Sequence, residues 1–175
     1  MIDGKKVRIE AFNTLEEVKH YIKLYNNLEY RSIHDHTEVN NGEVLFRRYL
    51  ENGLLSPEFS IYKILNKENV LVGIISYSKL EDYDYVLGYR ILKPQYKHKG
   101  YMSEALTLFV SYMFNEYPKL RRCTLKIASE NIESIGLAKK VGFVHEGTLR
   151  EGYEYRNHVC DFEIYSKLRK EMSST

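Results

Sequence analysis

Arg90-Ile-Leu-Lys-Pro-Gln-Tyr-Lys-His-Lys-Gly-Tyr-Met-Ser-Glu-Ala105 holds a strand end, a basic loop and a helix start in one stretch. A β-type run over residues 86–92 stops at Pro94, and a polar loop, residues 95–100, follows it. From there Met102, Leu106, Phe109, Val110 and Met113 recur at spacings of three and four, which predicts a helix with one apolar face. The first N–H groups of a helix have no partner inside it, and the helix dipole places its positive end there. A strand, a basic loop and a helix N-terminus therefore make a cradle for a pyrophosphate. Lys97, Lys99 and His98 supply charge, and Gly100 lets the backbone come close. Taken alone, the loop fits a solvated βα connection equally well.

Working outward, residues 7–12 alternate as a first strand, and Thr14 with Glu17 makes a capping box ahead of a helix carrying Leu15, Val18, Ile22 and Tyr25 on one face. Residues 28–42 are polar and irregular. A second helix, 43–52, stops at Gly53. Strands at 59–65 and 70–79 flank the hairpin signal Asn66-Lys-Glu-Asn69. Beyond the central helix, Pro118 forces a stop. Residues 122–127 then read as a buried strand, and 131–141 as a helix capped by Asn131 and closed by Gly142. Residues 144–149 and 159–167 would close the fold as an antiparallel pair. The order β-α-α-β-β-β-α-β-α-β-β predicts one α/β domain over 1–175, with a mixed sheet and helices on both faces.

The chain has 175 residues and a net charge of +2, too even a balance for a nucleic-acid partner. No apolar run approaches the roughly 20 residues a membrane helix needs. Met1-Ile-Asp-Gly-Lys-Lys has no apolar region behind its charges, so a soluble, cytoplasmic protein is expected, as a monomer or homodimer. Cys123 and Cys160 match no metal spacing and read as reduced core thiols. His34-Asp-His36 lacks further ligand spacing, so no metal is expected.

Residues 94–106 resemble the acyl-CoA-binding motif of the GNAT superfamily of N-acetyltransferases, with Gln95 and Gly100 at its Gln and second Gly positions and His98 at its first Gly. Because amides carry the binding, a β-carbon at His98 is tolerable if φ there is negative. Asn131-Ile-Glu-Ser-Ile-Gly-Leu-Ala-Lys-Lys-Val-Gly-Phe143 resembles the later motif of that superfamily. Glu146-Gly-Thr-Leu-Arg150 and Asp161 narrow the likeness to the RimJ/RimL-like branch. The resemblance implies a mostly antiparallel sheet of about seven strands with about four helices, two central strands splaying apart to admit the pantetheine arm.

It also implies transfer of an acetyl group from acetyl-CoA to a primary amine, by direct attack in a ternary complex. Ile91, Leu92, Gln95, Tyr96, Lys97, His98, Lys99, Gly100, Tyr101, Met102, Asn131 and Ser134 become cofactor-binding candidates, with backbone N–H groups near Ile91 and Leu92 polarising the thioester. The helix tyrosine that protonates the thiolate in many members is Ala138 here, while Ser134 occupies a position the branch sets near the sulfur. Glu151, Tyr153 and Asp84 are candidates for the catalytic base, beside deprotonation relayed by water. Arg150 and Asp161 are expected to form an ion pair. Tyr30, His34, Asp35 and Asp84 are acceptor-binding candidates. The acceptor is left open between a protein N-terminus and a small amine. An inactive acyl-CoA-binding module is the alternative.

Overall fold

The computed structural model describes residues 1–31, 34, 42–155 and 158–172. The strands are β1 (Ile2–Asp3), β2 (Val7–Glu10), β3 (Phe59–Asn66), β4 (Leu71–Glu81), β5 (Asp84–Ile91), β6 (Arg122–Ala128), β7 (Val144–Tyr155) and β8 (His158–Leu168). The helices are α1 (Leu15–Tyr25), α2 (Gly42–Asn52), α3 (Tyr101–Glu116) and α4 (Ile132–Val141). One sheet of eight strands runs β1-β2-β3-β4-β5-β6-β8-β7. The added strand relative to the expected seven is β1, a two-residue piece paired with β2 and too short for alternation to register.

Among the described residues, alternation along the strands feeds two large cores and a small cluster of Ala128, Tyr153 and Cys160. Ile64, Val72 and Leu87 join the apolar face of α3, whose Leu106, Phe109 and Met113 are fully buried. Ile61, Leu65 and Ile74 pack instead with Val18, Tyr21 and Leu45 of α1 and α2. Burying a side chain such as Phe109 is worth roughly 1.5–3 kcal/mol, which holds α3 to the sheet more firmly than helix propensity does. At the far end of α3 the Arg169 guanidinium donates to the carbonyls of Phe114, Tyr117 and Leu120 at 2.6, 2.7 and 2.8 Å, satisfying acceptors the helix leaves open.

Every strand pair is antiparallel except β5–β6, whose parallel pairing is confined to Asp84–Arg122, Tyr85–Cys123 and Val86–Thr124. Beyond those three pairs the strands diverge. The closed foot of this wedge is clasped by Asp84, which accepts from the Thr124 hydroxyl at 2.6 Å and lies 3.3 Å from the Arg122 Nε. The Tyr83 carbonyl accepts from the N–H groups of Arg121 and Arg122 as well. Asp84 is thus spent on holding two strands together at the end away from the opening, which removes it as an acceptor contact or base.

Candidate active site

At the open end of the wedge, a short 3-10 turn (Pro94–Tyr96) leads from β5 into the basic loop. Gly100 caps α3 at φ 80°, a left-handed conformation suited to glycine. The first bond of the turn runs from Glu104 N–H to the Gly100 carbonyl, leaving the N–H groups of Tyr101, Met102 and Ser103 without partners in the helix. Glu104 steadies this end of α3 by accepting the backbone N–H groups of Lys5, Lys6 and Val7 at 2.8, 2.7 and 2.9 Å. The Lys6 ammonium donates to the Lys99 carbonyl at 3.1 Å and would stand 3.0 Å from a Cβ placed on Gly100. His98 departs from expectation: its φ is +59°, so a β-branchless glycine would be at ease where this histidine is strained.

A cavity of about 410 Å³ opens over this loop, lined by Ile91, Tyr96, Lys97, His98, Gly100, Tyr101 and Met102, with Asn131 and Ser134 from α4 and Tyr30 at its rim. Three cofactor candidates do not reach it. Leu92 is fully buried in the α1–α2 core, and its N–H is already given to the Val72 carbonyl at 2.9 Å, so it cannot polarise a substrate. Gln95 is exposed, and the Lys99 ammonium lies 5.8 Å over the Tyr96 ring. The bond from Leu92 fixes the ladder phase. Alternation then turns the N–H groups of Ile91 and Tyr89 away from β4, into the wedge.

A second cavity, about 310 Å³, passes through the wedge between β5 and β6. Tyr25, His34 and Ser76 line it on the α1 side, Tyr153 and Phe162 come from β7 and β8, and Lys126 and Ile127 from β6. Tyr89, Arg90, Asn131 and Ser134 line both cavities, so the two meet at these side chains. Asn131 caps α4 by accepting the Ser134 N–H at 3.1 Å, which sets Ser134 at the start of the helix. The Ser134 hydroxyl is 2.6 Å from the Tyr89 hydroxyl. Burial raises the Tyr89 pKa above its ordinary value, against a smaller opposing effect of the Ser134 hydrogen bond. Arg90 spans the gap on the other face, stacked 4.4 Å over Tyr25 and donating to the Tyr25 carbonyl at 3.2 Å.

The β7 candidates separate. A register shift between Leu149 and Tyr153 bulges the strand, and Glu151 sits in it at φ +52°. The bulge breaks the alternation that would have put Glu151 on the side of Tyr153. Glu151 is exposed and lines neither cavity, whereas Tyr153 is buried and donates to the His34 carbonyl at 3.1 Å. Asp161 does not pair with Arg150; its carboxylate accepts the Glu151 N–H at 2.8 Å and stabilises the bulge. Asp35 and His36 lie outside the described residues. Both cysteines are buried and free, and burial, with Asp84 nearby, pushes the Cys123 thiol up to about 12. Tyr89 was not singled out from the sequence. In a strand it is one alternating tyrosine among the chain's 16, and only the approach of α4 gives it a partner.

Residues 6–144 match the acetyltransferase (GNAT) domain family. The chain belongs to the GNAT family. Among curated relatives, it is 33% identical over 109 residues to the uncharacterized N-acetyltransferase YnaD of Bacillus subtilis (62% of this chain, 63% of that protein). It is 27% identical over 104 residues to the ribosomal-protein-serine acetyltransferase of Escherichia coli (58% and 57%). The matched stretches thus span under two thirds of these relatives. Solved GNAT structures superpose over nearly the whole chain. The RimL ribosomal L7/L12 α-N-protein acetyltransferase with coenzyme A gives a TM-score of 0.81 at 18% identity, covering 96% of this chain and 97% of that one. The spermidine N-acetyltransferase of Vibrio cholerae with CoA and spermine gives 0.76 at 17%, covering 96% and 98%. This likeness establishes the GNAT fold, and the sequence relatives place ribosomal-protein acetyltransferases among this chain's kin.

Proposed function

We propose that this GNAT protein is an acetyl-CoA-dependent N-acetyltransferase acting on a primary amine by direct attack in a ternary complex. The observation that carries the reading is the meeting of two cavities at Tyr89 and Ser134, one floored by a helix N-terminus and basic loop, the other crossing the sheet. Acetyl-CoA would enter the first, its phosphates facing the N–H groups of Tyr101 to Ser103 with Lys97 and His98 nearby. The acceptor would enter the second, past His34 and Tyr153. The Ile91 N–H, turned into the wedge, would polarise the thioester carbonyl as charge grows on its oxygen. Cys123 and Cys160 are buried and line neither cavity, and burial raises both thiols, which supports direct transfer over an acyl-enzyme. Asn131, which accepts the Ser134 N–H, would hold Ser134 at the sulfur end of the cofactor.

The relatives named for ribosomal-protein acetylation and the neighbour with bound spermine put peptide N-termini and polyamines first among acceptors to try. The test is thiol release from acetyl-CoA against peptides with different N-termini, free amino acids, spermidine, spermine and aminoglycosides, with acetyl-CoA affinity measured by calorimetry. Release with one class supports the reading and names the acceptor. Micromolar binding with no release from any acceptor favours the inactive acyl-CoA-binding module, for which Ala138 in place of the helix tyrosine speaks. Loss of binding altogether overturns the assignment of the basic loop.

A further inference from the structure

The described lining of the acceptor cavity brings Tyr25, His34, Arg90, Lys126 and Tyr153 to the wedge but no carboxylate. Glu151 and Asp84, the carboxylates among the candidate bases, are held elsewhere by the Asp161 bulge and the β5–β6 clasp. What stands where the cavities meet is a pair of hydroxyls, Tyr89 on β5 and Ser134 on α4, 2.6 Å apart. Both line both cavities, so one end of the pair can address an amine while the other addresses a sulfur.

We propose that Tyr89 and Ser134 form a two-hydroxyl relay that carries the proton lost by the attacking amine to the departing CoA sulfur. The inference rests on the acetyltransferase reading above. The amine enters neutral, having left its extra proton in solvent. Its lone pair forms the C–N bond at the thioester carbon, and the C–S bond then breaks with its electron pair staying on sulfur. As this happens the amine N–H proton passes to the Tyr89 oxygen, the Tyr89 proton to the Ser134 oxygen, and the Ser134 proton to sulfur. Each hydroxyl gives one proton and takes one. Both end as they began, and the products are the amide and the CoA thiol.

Three features fit this pairing and not a lone acid or base. Burial raises the Tyr89 pKa, so a standing phenolate is disfavoured while a concerted exchange that never leaves one is not. Asn131 fixes the Ser134 backbone through its N–H at 3.1 Å, and the Tyr89 ring packs against the α3–α4 core, so neither hydroxyl has far to wander. Ala138 leaves the helix without the tyrosine that its position would offer, and the facing strand supplies one instead. Tyr89 is thereby placed as a group that touches the reacting atoms, not merely as a support for Ser134.

The test is a cycle of Tyr89→Phe, Ser134→Ala and the double variant, on the best acceptor of the panel above. A relay breaks at either link, so each single variant should lose about 100-fold in kcat, a typical worth of positioned proton transfer, and the double variant should lose no more than a few-fold beyond either. Acetyl-CoA affinity should stay within about twofold. The wild type should show a solvent isotope effect with a curved proton inventory, from more than one proton in flight, and the variants should not. Multiplicative losses in the double variant, or an unchanged inventory, would overturn the relay. A second measurement needs no acceptor. Calorimetric binding of free CoA, with desulfo-CoA as control, should tighten as pH rises through the ordinary thiol range near about 8.5, because donated hydrogen bonds favour the thiolate. Ser134→Ala should abolish that dependence. Identical pH curves for wild type and Ser134→Ala would sink the relay, whereas absence of CoA binding in the wild type would sink the acetyltransferase reading itself.

Discussion

The Lys97 ammonium sits 2.9 Å from the Glu133 carboxylate, joining the basic loop to the first turn of α4. His98 reaches the other oxygen at 3.6 Å. The hydrogen bond from Lys97 holds the Glu133 carboxyl below its ordinary value. Before a phosphate arrives, the Lys97 ammonium and the His98 ring thus already face an anion.

An incoming pyrophosphate must compete with that anion. Exposed ion pairs of this kind are worth about 1 kcal/mol or less, so Glu133→Gln should tighten acetyl-CoA binding by no more than about fivefold. Calorimetry at low and high salt measures it, and the gain should shrink as salt rises. Weaker binding would mean that Glu133 orders Lys97 for the phosphate instead of rivalling it.

His98 at φ +59° carries a left-handed backbone that costs a residue with a β-carbon roughly 1–2 kcal/mol. His98→Gly should leave the melting temperature unchanged or raise it by a few degrees, since relief of strain is partly offset by a freer unfolded chain. His98→Val should lower it, as a β-branched side chain fits that region least. Equal melting points for the two variants would count against the strain.

Asp84 joins Thr124 and Arg122 at the closed foot of the wedge. Removing it leaves a buried hydroxyl without its acceptor, so Asp84→Ala should cost about 1–3 kcal/mol in denaturant unfolding. Turnover under native conditions should stay within about twofold. A collapse of kcat with stability intact would return Asp84 to the list of bases.

Glu146 accepts from the Ser166 hydroxyl and, at 2.7 Å, from Arg122. The Ser166 hydrogen bond first, then Arg122, lowers its pKa below 4.5. The unfolded chain therefore takes up this proton first as acid is added. The contribution is complete above 4.5 and fades as pH falls through the lower folded value. The side chain is 36% exposed, so the effect is modest. Glu146→Gln should lower the stability–pH curve by a modest, constant amount between pH ~7 and ~9 and flatten its acid limb, so that the two curves converge in acid.

The parts of this molecule legible in its sequence are those written in local chemistry. Thr14 caps α1 as its pattern foretold, accepting the Glu17 N–H at 3.2 Å, and Asn131 caps α4. Gly53 and Gly142 end their helices at positive φ, and Met102 to Met113 bury the expected face of α3. What the sequence concealed depends on contacts across the fold. Glu151 and Tyr153 stand two residues apart, and only the bulge pinned by Asp161 from the neighbouring strand turns one out and the other in. Tyr89 owes its partner to α4, which begins at Ile132, 41 residues beyond the end of β5 at Ile91. Strand alternation carries no trace of such an encounter.

Only three residue pairs join β5 to β6, so the sheet is two leaves bound along a short spine. Strands β1 to β5 form one leaf and β6 to β8 the other. A ligand bearing amide groups, laid in the wedge, would stitch the leaves together along the length where the protein leaves them unsewn. Its grip would then be felt as mechanical unity. Hydrogen exchange in the two leaves, free to open on separate schedules when the wedge is empty, would fall into step once it is filled.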